Sequence, residues 1–97
     1  MPPLTNITSD LHAKVAEDWN LILTKHARLR GEERQIYRRT IAKVLASGAV
    51  VEDQSEYGRT KWLVAGRDVD NRDVAVAVEC QADRKAFIVV TVFLDGS

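Results

Sequence analysis

Leu11, Val15, Trp19 and Ile22 recur at intervals of four, four and three residues, the spacing of a single apolar stripe on a helix. With Thr8 or Ser9 as its N-cap and Asp10 in its first turn, the stripe predicts a helix over residues 9–23. Residues 1–8 hold both prolines and several small polar residues, and read as a flexible end. Thr24 then reads as the cap of a short turn carrying Lys25 to Arg30, closed by Gly31. A second stripe, Ile36, Thr40, Ile41, Val44 and Leu45, predicts a helix that stops at Gly48.

Beyond Gly48 the period falls from about four to two. Ala49–Val51, Thr60–Ala65, Val74–Glu79 and Ala86–Leu94 read as strands, separated by the turn-rich stretches 52–58, 66–73 and 81–85. Helices followed by strands predict an α+β fold, with the helices packed on one face of an antiparallel meander of about four strands. With Cys80 set opposite Ala86, Val74, Val76 and Val78 face Val92, Val90 and Ile88 on the helix-covered side. Ala75, Ala77 and Glu79 then face Thr91, Val89 and Phe87 on the other. Thr91 would stand where small alanines leave room.

A chain of 97 residues and 10.9 kDa builds one core, so residues 1–97 are expected to form a single domain, with 9–23 an added helix and 24–94 the main unit. No apolar run approaches the roughly 20 residues that span a bilayer, and the first residues lack the pattern of a signal peptide. A cytoplasmic protein with no membrane contact is the expectation. One cysteine, Cys80, and two histidines supply neither an internal disulfide nor a Cys/His zinc framework, so no metal and no cofactor are expected.

The formal charge is zero, but its distribution is uneven. Between Lys25 and Lys43, seven cations stand against Glu32 and Glu33, leaving that segment at +5 and the rest of the chain at −5. The same segment holds the one imidazole set among cations. Cutting RNA without a metal needs a base for the ribose 2′-OH proton, an acid for the leaving 5′-oxygen, and positive charge for the phosphorane. His26 suits the proton transfer, because an imidazole titrates near neutral pH. Arg30, four residues on and on the same helical face, suits the charge, as do Arg28, Lys25 and Lys61 as phosphate-binding cations. Thr91 and Tyr57 are candidate hydrogen-bonding supports. The plain alternative is that His26 caps a helix and the arginines are solvated.

The run Leu23-Thr24-Lys25-His26-Ala27-x-x-Arg30, the helix ending Ile41-x-x-Val44-Leu45-x-x-Gly48-x-Val50-x-Glu52-Asp53, then Trp62-Leu63-Val64-x-Gly66-Arg67 and Ile88-Val89-Val90-Thr91-Val92-Phe93 carry a family likeness. In order and spacing they resemble a bacterial domain family of unknown function, allied by fold with the ribonuclease toxins of the barnase, EndoU, colicin and RelE type. The resemblance implies a helix-plus-antiparallel-sheet toxin module with metal-independent RNase activity. The family's His and Arg fall on His26 and Arg30, and its last-strand Thr on Thr91. Gly31-Glu32-Glu33 departs from the family pattern by placing acid beside the candidate site.

The expected function is therefore a small toxin-like endoribonuclease acting by 2′-OH attack. Its expected partners are RNA and a cognate protein of the antitoxin or immunity type. The rival expectation is a non-catalytic protein-binding module, a regulator or inhibitor of mobile-element origin that keeps the fold. A homodimer built through an edge strand is compatible with either.

Overall fold

The computed structural model describes residues 4–94. Its elements run α1 (Leu4–Ala16), β1 (Asn20–Leu23), α2 (Lys25–Arg34), α3 (Arg38–Ser47), β2 (Ala49–Asp53), β3 (Thr60–Arg67), β4 (Asp73–Gln81) and β5 (Ala86–Leu94). The strands form one sheet in the order β1-β5-β4-β3-β2. Its last four members are the antiparallel meander that the alternation predicts, and the fold class is α+β. The fifth strand, β1, lies parallel to β5 and was not expected.

That strand corrects the first predicted helix. Of residues 1–8, expected to be loose, 1–3 lie outside the described residues, while Leu4 to Thr8 already belong to α1. Leu4, Ile7, Leu11 and Val15 form its core-facing stripe. The helix stops at Ala16, and Asp18, at φ 63°, turns the chain into an extended run. Trp19 meets the core from that run, its ring 5.2 Å from Phe87. Leu21 and Leu23 then point inward while Ile22 is 37 % exposed. A short apolar run fits a helical or a strand period equally well, and here pairing with β5 decides.

The two basic helices are also divided differently from expectation. Gly31 does not end the first; it lies inside α2, where an added Cβ would strike the Ile36 carbonyl oxygen. The break comes at Gln35, in the left-handed conformation at φ 58°. Gly48 does cap α3, its N–H donating to the Val44 carbonyl at 2.7 Å. Ile41, Val44 and Leu45 beside it are buried, each contributing about 1.5–3 kcal/mol by leaving water.

Helices α1 and α3 cover one face of the sheet, burying Trp62, Val64, Val74, Val76, Val78, Phe87, Val89 and Val92. Helix α2 lies against β5 at the sheet's edge, where β1 has ended. The other face carries no helix among the described residues.

Candidate active site on the open face of the sheet

The open face is written in the strand register. One cross-strand row is Lys61, Glu79, Ile88 and Ile22; the next is Glu52, Leu63, Ala77 and Thr91; the third is Ala49, Ala65, Ala75 and Phe93. The predicted hairpin register is wrong, since Cys80 pairs with Phe87 and Gln81 with Ala86. A bulge is the reason. Between the pairs Ala77–Thr91 and Val78–Val89, strand β5 holds one extra residue, Val90. Because side chains alternate with a period of two, one extra residue swaps the faces of everything before it. Phe87 and Val89 therefore turn to the helices, and Ile88 to the open side. Thr91, beyond the bulge, keeps its expected face but pairs with Ala77 where Ala75 was expected, and is half-buried.

The bulge also seats α2. Thr24 donates its N–H to the Val89 carbonyl at 3.2 Å and its hydroxyl to the Val90 carbonyl at 3.3 Å, while its Oγ accepts from the Ala27 N–H at 3.0 Å. One threonine thus caps the helix and pins its start to the strand one residue before Thr91. Ala27 and Gly31 face the strand and are buried. Arg28 and Glu32 lie on the flank toward the helix layer, where they line a hollow with Leu23, Ile36, Tyr37 and Arg38. His26 and Arg30 each stand about 160° around the helix from Arg28. They occupy the opposite flank, away from that hollow.

Of the predicted residues, the fold sets His26 and Arg30 on one flank of α2, and Thr91 and Lys61 on the open face of the sheet. It does not bring Arg28 or Lys25 to that flank, for they occupy other sides of α2. Tyr57 sits at the tip of the β2–β3 turn, 97 % exposed, where it and Gly58 both have positive φ. His26 is exposed and Arg30 pairs with Glu33 at 3.3 Å, so the acid that follows Gly31 does share the arginine. His12 is committed to structure: it is half-buried, with Nε2 2.8 Å from the Gly48 carbonyl oxygen. Cys80 is a packing group. Burial pushes its thiol up to about 12, so it stays protonated at neutral pH.

Two features went unread in the sequence. Buried Asp68, in the β3–β4 loop, accepts from Arg72 Nε at 2.6 Å, and the same guanidinium donates to the Arg34 and Gln35 carbonyls at 2.8 and 2.9 Å. Arg72 thus closes the C-terminal end of α2 from across the chain. The i,i+4 spacing of Asp68 and Arg72 was visible; the carbonyls they serve were not. The second feature is a cavity of about 240 Å³ lined by Gln54, Glu56, Arg59, Lys61, Glu79 and Val90, formed where the β2–β3 loop reaches over the sheet. Among the described residues, no three His, Cys, Asp or Glu side chains cluster as metal ligands. No helix there is long and apolar enough to cross a membrane.

Residues 23–94 match the model of a family described as a domain of unknown function (DUF4258). No curated protein and no solved structure matches the chain.

Proposed function

The chain belongs to the DUF4258 family, and from that premise and the geometry of the open face we propose that it is a metal-independent endoribonuclease, a toxin-like module held in check by a cognate protein. What supports this reading is an exposed imidazole and a guanidinium on one flank of α2, the helix that packs against β5, together with a hydroxyl on the open face of that strand.

In the proposed reaction His26 accepts the proton of the ribose 2′-OH as that oxygen attacks phosphorus. The new 2′-O–P bond forms as the P–O5′ bond breaks, and the imidazolium returns its proton to the departing 5′-oxygen. The products are a 2′,3′-cyclic phosphate and a 5′-hydroxyl. Arg30 supplies charge to the phosphorane oxygens, and the Thr91 hydroxyl donates a hydrogen bond to one of them. For Arg30 to do so it must exchange Glu33 for phosphate. An exposed pair of this kind is worth only about 0–1 kcal/mol, so the exchange is cheap.

The test is incubation of the purified chain with total RNA beside His26→Ala. His26 is exposed, so the variant keeps its fold, and cleavage is expected to fall by about 10²-fold or more with loss of the proton-transfer group. Equal cutting by both proteins, or none by either, overturns the reading.

One observation favours the alternative of a non-catalytic protein-binding module. The open face is apolar, with Ile22 37 % exposed and Ile88, Val90 and Phe93 half-buried, as a protein interface would be. That alternative predicts partner capture that survives His26→Ala.

A further inference from the structure

Lys61 and Glu79 lie directly opposite each other on β3 and β4, yet they form no ion pair. Glu79 instead accepts from Gln81 Nε2 at 3.1 Å and has Arg59 at 3.9 Å. The opposed ammonium and carboxylate both line the 240 Å³ cavity, together with Gln54, Glu56, Arg59 and Val90. Its two cations and two carboxylates cancel. A phosphate would meet both acids there, so a neutral ring carrying donors and acceptors suits the space better.

Its position ties it to the cleavage reading. Val90 is the bulge residue whose carbonyl holds Thr24, and it precedes Thr91. A base lodged against Val90 would therefore lie one residue along the strand from Thr91 and beside the carbonyl that holds the start of α2.

Resting on that reading, we infer that the cavity is a guanine pocket. Guanine presents O6, N1–H and the N2 amino group side by side on one edge. A lysine beside a carboxylate matches that order: Lys61 donates to O6, while Glu79 accepts from N1–H and N2–H. A carboxylate offers about four acceptor positions, so the bond from Gln81 leaves room for two more. Adenine sets an unprotonated N1 against the same carboxylate and loses the contact. Single-stranded RNA exposes these base edges, and a duplex does not.

The experiment titrates the isotope-labelled full chain with guanosine 3′-monophosphate and, separately, adenosine 3′-monophosphate, following backbone amide signals. The expected result is shifts centred on Lys61, Glu79 and Val90, with guanosine bound about tenfold more tightly, the scale of one bidentate base contact. Glu79→Gln should reduce that preference below about twofold with little change in adenosine affinity. If Glu79→Gln does not fold, Lys61→Met reports on the same edge through O6. Shifts centred elsewhere, or equal affinity for the two nucleotides, overturn the pocket. RNA cutting that depends on His26 would then still stand. Guanosine bound at these residues by a chain that cuts no RNA would keep the pocket and remove the nuclease.

Discussion

Asp68 is the one charged side chain among the buried described residues, and its chemistry sets a pH dependence. The Arg72 backbone N–H bonds its carboxylate and holds it below the usual carboxylate range, helped by the Arg72 guanidinium and the Asp70 N–H, while burial pushes the other way. A carboxyl depressed in the folded state adds stability that is complete above its unfolded value, about 3.9, and drains away as pH falls through the lower folded one. Asp68→Asn is therefore expected to be less stable than the parent at pH 7, with the difference shrinking as pH drops below about 4. Urea unfolding of both proteins at several pH values checks this, and a gap independent of pH would refute it. Single residues of this kind were hard to read in the sequence. Asp68 stood in a loop rich in Asp and Asn, and only its burial marks it out.

At the scale of elements, α2 is the piece whose placement matters most, and it is held at both ends. Thr24 fixes its start to the bulge in β5, and Arg72 fixes its finish through the Arg34 and Gln35 carbonyls. Removing the second anchor should let the last turn fray. In Arg72→Ala, amide exchange over residues 32–37 is expected to quicken far more than in β4, and Arg72→Lys should restore protection only in part, because an ammonium cannot span two carbonyls as a planar fork does. Uniform quickening across the sheet would show that Arg72 supports the whole fold instead. The sequence announced α2 through Thr24 and the spacing of His26 and Arg30. It misplaced the helix end, because Gly31 serves a close approach to Ile36 that involves no break in the chain.

For the whole molecule, the notable point is how the sheet's edges are tied to the helices. Thr8 of α1 accepts the Val50 N–H of β2 at 2.9 Å, and Arg38 donates to the Leu21 carbonyl of β1, while α2 covers the exposed length of β5. Apart from Val50, β2 stays exposed, so its edge still offers backbone groups to a further strand, as the edge-strand homodimer considered from the sequence requires. The face stays open as well. Few of the cations in the +5 segment point toward it: Arg28 and Lys25 turn aside, and Arg38 serves β1. Binding of single-stranded RNA should thus release few counterions, and the slope of log affinity against log salt is expected near about −2, as for two or three phosphate contacts. A slope steeper than about −4 in a binding titration of His26→Ala would mean that the basic helices as a whole carry the RNA.

The sequence by itself determined the α+β class, the meander of four strands, the Gly48 cap and the placing of His26 and Arg30 on one helical face, because each depends on local periodicity or on a residue's own conformational range. Only the tertiary structure decided that Asn20–Leu23 is a strand, that Val90 reverses the facing of half of β5, and that Lys61 and Glu79 stand opposed across an open cavity. Those features arise from pairing between segments up to 66 residues apart, as the Thr24–Val90 bond shows, and no local pattern encodes a partner at that distance.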